Sequence, residues 1–383
     1  MKRRYMAAVA AAAISCGLMP AAASAKLKIG VTDATMQNRD PVQFWDNVNA
    51  LHLNVIRSQV GWAHIAAHKP KNPTDPNDPA YNWKLLDKNV RDGAAWSKKV
   101  NGTVIYNVWG TAKWAHQYKR SVAYVPVPKT ADFRNFMKAL AKRYNGTFIP
   151  KNAPAGTLPL PRITHWEIWN EPNNALGLAK PSTSKKAGVP AGAKAYRTIL
   201  QVAYTEIHRQ DQAGKPRGVV IGGAVGGRTG VDHVTFYKQL KSLKAPMDAI
   251  SVHPYSIVPA WGPSDGAPGK GYLQPFYRLG NFNRFISFVK GWKGSKFPIW
   301  VTEIGWQVNP PEKRLGVPSS KQTLFYKQTV TKLRKYPQVQ GMTWYMLRDE
   351  VSLAGWQSGF LTYPKSHKSK PRQIWFAVRD TTK

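Results

Sequence analysis

The chain carries a single cysteine, Cys16, in 383 residues. It lies within the first 25 residues, so a chain that loses this segment has no thiol, which excludes disulfides, thiolate metal sites and a cysteine nucleophile. Acidic residues are also scarce, with 20 Asp and Glu against 56 Lys and Arg and a formal charge of +36. Past the N-terminus no window holds about 18 uninterrupted apolar residues, so no membrane insertion is expected. Phosphate-binding glycine loops, a serine elbow and metal-ligand signatures are missing, and no cofactor or metal is expected. His64 and His68 have the i, i+4 spacing of some metal sites but lack a third ligand or an accompanying glutamate, and read as a surface pair.

The N-terminus has the pattern of an export signal. Lys2, Arg3 and Arg4 precede an alanine-rich apolar stretch to about Leu18, and Ala23-Ser24-Ala25 forms the small-x-small pattern of a signal peptidase site. Residues 1–25 are therefore expected to be a signal peptide. Residues 26–383 are expected to form one soluble, monomeric domain that is secreted or held at the cell envelope. Ala13-Ile14-Ser15-Cys16 is a poor lipoprotein box, which leaves lipid anchoring as the lesser alternative. Without disulfides, stability must come from a large core, and 43% hydrophobic residues suffice for one.

So basic a chain would attract anionic partners such as an acidic glycan or a cell surface. The cations recur on expected outer helices (Lys84, Lys88, Arg91, Lys98 and Lys99; Lys138, Lys142 and Arg143; Lys238, Lys241 and Lys244; Lys332, Arg334 and Lys335). They also occur in loops, at Lys180, Lys185 and Lys186. A nucleic-acid binder concentrates charge on one face and pairs it with a recognisable module. No such module is found, so a solvated basic shell is expected and no specific nucleic acid.

Apolar, β-branched runs recur between helix-like stretches: Leu27 to Thr32, Val55 to Gln59, Gly102 to Tyr106, Thr164 to Trp169, Val219 to Gly223, Ala249 to His253, Ile299 to Glu303 and Met342 to Met346. Between them lie amphipathic segments such as Phe133 to Tyr144, Ala195 to Gln210, Val234 to Leu243, Phe282 to Lys290 and Lys321 to Lys335. Eight strands, each followed by a helix and without a linker between halves, indicate an α/β fold of the (β/α)8 TIM-barrel type. The Pro- and Gly-rich segments Ala67 to Ala80, Trp109 to Thr130, Asn173 to Lys194, Ile257 to Tyr272 and Gln307 to Ser320 all follow strands. They would wall a cleft on the C-terminal face, where barrels keep their sites.

Two of these runs end on a glutamate, W-E-I-W-N-E-P-N (Trp166 to Asn173) and I-W-V-T-E-I-G-W (Ile299 to Trp306). Two carboxylates at the ends of buried strands are the minimum equipment for cleaving a glycosidic bond. Pro172 pushes Glu171 away from helical geometry toward an extended backbone, so its carboxylate should project from the strand end. Glu167, Trp169 and Glu171 would share one face by strand alternation, so position rather than parity favours Glu171 over Glu167. Glu303 follows Pro298-Ile299-Trp300-Val301-Thr302, where a buried carboxylate needs a partner. Trp109, Trp114, Trp306 and Trp344 lie at or past strand ends, where an indole could stack on a sugar; Trp306 and Trp344 are the stronger candidates.

N-E-P after a fourth strand and T-E-I-G-W after a seventh resemble the catalytic segments of retaining glycoside hydrolases of clan A, particularly families 5 and 39. V-I-R-S-Q-V-G-W with Arg57 and Trp62, the Tyr196 helix followed by I-G-G-A, S-V-H-P-Y at His253 to Tyr255 and W-Y-M-L-R-D at Trp344 to Asp349 are similar to those families at corresponding places. The likeness covers most of the chain past the signal. It implies that Glu171 is the general acid/base and Glu303 the nucleophile, that Asn170 bonds the sugar 2-hydroxyl, and that Arg57, His253 and Tyr255 orient and tune the pair. The nucleophile would stay ionised beside Arg57 and Tyr255, and the acid would hold its proton among apolar groups such as Trp166 and Trp169. A carboxyl separation of about 5 to 5.5 Å is expected. The implied substrate is a poly- or oligosaccharide, its sugar and linkage unspecified. The alternative is an inactive barrel acting as a carbohydrate- or cell-wall-binding protein.

Overall fold

The computed structural model describes residues 27–118, 125–181, 188–227, 230–256, 261–263, 275–352, 355–363 and 369–383. The expected signal peptide, Lys185, Lys186 and most of the segment from Ile257 to Tyr272 lie outside them.

Eight β-branched runs form parallel strands: β1 Lys28–Thr32, β2 Val55–Gly61, β3 Thr103–Trp109, β4 His165–Ile168, β5 Val219–Val225, β6 Ala249–Val252, β7 Ile299–Ile304 and β8 Val339–Trp344. Each pairs with its sequence neighbours, and β1 pairs with β8 to close the barrel. Helices follow the strands in turn: α1 Pro41–Ala50, α2 Lys84–Val100, α3 Thr130–Arg143, α4 Ala193–His208, α5 His233–Ser242, α6 Phe282–Lys293, α7 Ser319–Leu333 and α8 Gln373–Thr382. The fold is the expected (β/α)8 TIM barrel. β8 begins three residues before its expected start, because Gln340 and Gly341 break the apolar run. Gly341 is needed there, since a β-carbon would stand 2.8 Å from the Lys28 carbonyl oxygen on β1.

The main core lies between barrel and helices. On α3, Phe133, Phe136, Met137 and Leu140 repeat at helical spacing and are all buried. Phe133 and Phe136 enclose the Trp62 ring, with centroids 5.6 and 5.2 Å away. Each such aromatic contributes about 1.5–3 kcal/mol of burial. A smaller cluster of Val55, Ile105, Ile221, Ala249 and Trp300 fills the barrel interior. The cations of α2 are exposed, as a basic shell requires. Arg143 is not part of that shell: it is 5% exposed and grips Asp87 through Nε and Nη2 at 2.9 and 2.6 Å. Among the described residues no helix is long and apolar enough to cross a membrane.

Candidate active site

Side chains of a strand alternate between the barrel interior and the helices. Val55 on β2 belongs to the interior cluster, so Arg57 and Gln59 follow it upward on the same side; Ile105, Asn107 and Trp109 follow the same rule on β3. Above the apolar layer the interior is therefore polar. Arg57 is fully buried. Its guanidinium donates from Nε to Glu167 at 2.6 Å, from Nη1 to Glu303 at 2.6 Å and from Nη2 to Asn170 at 2.8 Å. Asn107 ties Glu167 and the Trp169 carbonyl, at 3.1 and 2.7 Å. Glu167 is wholly enclosed. Burial alone would raise its pKa, but the Arg57 and His253 charges and hydroxyl hydrogen bonds outweigh it and hold the carboxyl below its usual range. Glu167 anchors Arg57 in the barrel; of the two β4 glutamates, Glu171 is the one at the mouth.

Strict alternation would send Thr302 and Glu303 to opposite sides of the sheet. A β-bulge prevents this. Val301 pairs with Met342 and Ile304 with Trp344, so three steps on β7 span two on β8. The extra residue lets Thr302 and Glu303 both reach the interior. The Thr302 hydroxyl lies 3.1 Å from His253 Nε2, while Glu303 meets Arg57 and receives the Tyr255 hydroxyl at 3.1 Å. Burial and the Glu303 charge push the Tyr255 phenol well up, so it keeps its proton and donates. Arg278 fixes that loop by donating to the Tyr255 carbonyl at 2.6 Å.

A second bulge lies on β5, where Gly222 pairs with Ile250 and Val225 with Val252. Gly223 and Ala224 take positive φ there, 118° and 47°. The Ala224 carbonyl accepts the Glu171 amide at 3.0 Å. That tie, with the turn in which Asn174 N donates to the Glu171 carbonyl, holds Glu171 at φ 43°. The extended backbone expected before Pro172 is thus not adopted. Trp169 also departs from parity: β4 ends at Ile168, Trp169 has φ 71°, and its fully buried ring packs edge-on to Phe133 while its indole N–H donates to Gly177. Trp166 donates to the Ile163 carbonyl and is buried in the main core.

Glu171 consequently lies among hydrogen-bond donors rather than apolar rings. His253 Nδ1 is 3.1 Å from Oε1, and Asn174 Nδ2 donates to Oε2 at 2.9 Å. Burial pulls its pKa up, but the His253 and Asn174 bonds and the Arg57 charge prevail, so the resting carboxyl is held below its usual range. With Glu171 ionised, His253 Nδ1 donates to it. One oxygen of Glu171, one of Glu303 and a His253 ring nitrogen all lie within 4.8 Å of one another. These are the one grouping of metal-ligand type among the described residues. Their donor atoms are engaged by Arg57, Tyr255, Asn174 and Thr302, an arrangement suited to carboxylates in acid–base and nucleophilic roles.

The structure thus brings together Arg57, Asn170, Glu171, His253, Tyr255 and Glu303. Trp306 and Trp344 do not join them. Trp344 is fully buried between Trp306 and Phe360, with centroids 5.7 and 5.9 Å away, and its indole donates to Ser358. Trp306 is 4% exposed, packs on Phe325 and donates to the Trp261 carbonyl. Neither ring offers a face to a sugar. Trp109 is half-buried at the mouth; Trp114, also half-buried, sits edge-on to Trp62. His64 and His68 are both exposed.

Four residues near the carboxylates escaped the sequence reading. Asn174 was legible in N-E-P-N-N as an amide three residues past the glutamate. Tyr345 is half-buried beside Glu303, and the half-buried Trp356 ring packs against both Tyr255 and Tyr345 at 5.6 Å. Gly226 makes room for Glu171. Those three carry no local signal.

A TIM barrel with two carboxylates facing each other at its C-terminal mouth defines the glycoside hydrolase class of barrel. The chain belongs to the glycosyl hydrolase catalytic core family, whose model matches residues 80–362. No curated protein matches the sequence. Among solved structures it is similar to a family 39 glycoside hydrolase from Bacteroides cellulosilyticus (TM-score 0.65, 18% identity, 94% of this chain and 64% of that one). It is also similar to a family 39 β-xylosidase from Caulobacter crescentus (0.60, 16%, 94% and 71%) and a β-glucosidase from Pyrococcus furiosus (0.59, 12%, 93% and 95%). At these identities the likeness is one of fold. The chain spans less than two thirds of the length of the Bacteroides protein.

Proposed function

We propose that the protein is an exported, retaining glycoside hydrolase that cleaves β-linked poly- or oligosaccharides through Glu303 and Glu171. The observation that carries this reading is the carboxylate pair, with one oxygen from each within 4.8 Å. Inverting enzymes need about 6.5–9.5 Å between carboxyl groups to admit a water, whereas retaining enzymes need about 5–5.5 Å. The β-linkage rests on the xylosidase and glucosidase among the similar folds, and export on the N-terminal sequence.

In the first step a Glu303 oxygen attacks the anomeric carbon as the bond to the leaving oxygen breaks, and Glu171 gives that oxygen its proton. Arg57 and Tyr255 keep Glu303 aimed through their hydrogen bonds to its two oxygens. In the second step Glu171, now a carboxylate, takes a proton from water, whose oxygen displaces Glu303 and leaves the anomeric configuration as it began. The donors around Glu171 favour the charged form required in this second step. For the first, the incoming sugar supplies the desolvation that returns a proton to it. Asn170, whose carbonyl oxygen accepts from Arg57, bonds a sugar hydroxyl through its amide.

Trapping with 2-deoxy-2-fluoro-β-glycosides that carry a good leaving group, followed by peptide mass analysis, tests the assignment. A covalent sugar on the peptide containing Glu303, and none in Glu303→Gln, is expected. Sugar binding without labelling or product from any member of a glycoside panel would make the protein a carbohydrate binder instead.

A further inference from the structure

A cleft of about 730 Å³ opens at the C-terminal ends of β2 and β3, the two strands that carry Arg57 and Asn107. Gln59 and Trp109 line it. They stand two residues above Arg57 and Asn107 on the same strands, a rise of about 6.6 Å. The cleft therefore continues outward from the catalytic layer along one side of the mouth. Its floor is apolar, from Ile65, Leu86 and the half-buried Trp109, a surface that suits the CH faces of sugar rings.

Its charge has one sign. Arg39, at the end of the short helix after β1, and Lys113, in the turn after β3, are both exposed and line the cleft with His64 and His116. No aspartate or glutamate is among the lining residues. The nearest acid in sequence, Asp40, is already bridged to Arg348. Arg39 and Lys113 come from different loops, and neither is bridged to a carboxylate among the described residues. The exposed cations of the outer helices, such as Lys84, Lys88 and Arg91, sit on convex surface where water screens them; a concave wall with low-dielectric sides focuses the field of its charges.

We propose that this cleft binds the anionic units of an acidic polysaccharide, extending the substrate from the glutamates across β2 and β3 toward Arg39 and Lys113. The inference rests on the glycosidase reading and narrows its substrate to polymers bearing carboxylate or sulfate groups. The rings lie on Trp109 and the apolar floor, Gln59 and the neighbouring amides bond hydroxyls, and the two cations pair with acidic substituents at the rim.

The test uses two β-1,4-linked hexamers that differ only at C6: a glucuronan hexamer, and cellohexaose, its carboxyl-reduced form. Titrated calorimetrically into Glu171→Gln, the acidic hexamer should bind about tenfold more tightly at low salt, with the advantage fading at high salt. In Glu171→Gln carrying Arg39→Gln and Lys113→Gln, the ratio of the two affinities should fall toward one. Equal affinities at the outset, or a preference that survives removal of both cations, overturns the proposal. Tighter binding of a single-stranded DNA hexamer also overturns it, since the cleft would then serve a different polymer. Fluorosugar labelling of wild-type Glu303 judges the hydrolase reading separately, so either idea can fail while the other stands.

Discussion

A β-carbon on Gly226 would stand 2.1 Å from a carboxylate oxygen of Glu171 and 2.8 Å from the Cβ of His253. No contact so short is tolerable, so the space for the acid exists only because residue 226, just past the β5 bulge, has no side chain. Gly226→Ala should push Glu171 aside by an ångström or so and lower kcat/KM about 100-fold. Thermal stability should change little, because the Gly226 amide keeps its bond to Asn173. A variant with near wild-type kcat/KM would mean that the position of Glu171 is not limiting.

His253 holds Glu171 in its charged form, so removing the imidazole should shift the pH profile in a defined direction. In the proposed mechanism Glu171 is the acid of the first step and must be protonated, so kcat/KM should fall as pH rises through its pKa in the free enzyme. The His253 hydrogen bond and charge depress that pKa, after burial has raised it. In His253→Phe the pKa rises and the alkaline limb of kcat/KM should move to higher pH, although the maximum itself drops. Alkyl glycosides, whose departure needs a proton, are the substrates to use. A limb that stays in place would remove Glu171 from the acid role.

How much of this was readable beforehand depended on which rule each residue obeys. Strands covered on both faces appear as unbroken β-branched runs, so all eight were visible and the barrel followed from their alternation with helices. The N-E-P and T-E-I-G-W segments marked Glu171 and Glu303 because strand ends are where barrel chemistry sits. Orientation was less visible. Glu303 reaches the interior only through an inserted residue in β7, and the pairing register that creates this bulge is a property of two strands together. Trp169 leaves the interior because β4 stops one residue before it. At the end of β8 a single step separates Trp344, packed among aromatics, from Tyr345 at the site. Sequence position cannot distinguish these neighbours.

That single step gives a pair of contrasting substitutions. Trp344→Ala deletes a fully buried indole among Trp306, Tyr326 and Phe360, and should cost about 3–5 kcal/mol in urea unfolding. Trp356 is half-buried and packs on the ring of Tyr255, whose hydroxyl serves Glu303. Trp356→Ala should cost about 1 kcal/mol or less of stability and lower kcat/KM about tenfold. If both variants lose stability alike and keep their kinetics, Trp356 is only packing.

Asp33 supplies a pH dependence of stability separate from the chemistry. Its carboxylate is 3% exposed, accepting the Met36 amide at 2.8 Å and the Arg348 amide at 3.0 Å, and so pins the start of the first loop to the segment after β8. Burial outweighs these bonds and the Arg348 charge, and pushes its pKa up to about 6. A carboxyl that binds its proton more tightly in the folded state stabilises the fold fully below the unfolded value of about 3.9 and loses that contribution as pH rises through about 6. The loss amounts to about 2 kcal/mol between pH 4 and pH 7. Asp33→Asn has no such titration. Its overall stability should be lower because the amide cannot accept both backbone bonds as well, but the wild type should lose about 2 kcal/mol relative to it over that interval. Urea unfolding of both proteins at half-unit pH steps reads the difference directly, and since every other titrating group is common to the two, parallel curves would mean that folding does not raise the pKa of Asp33.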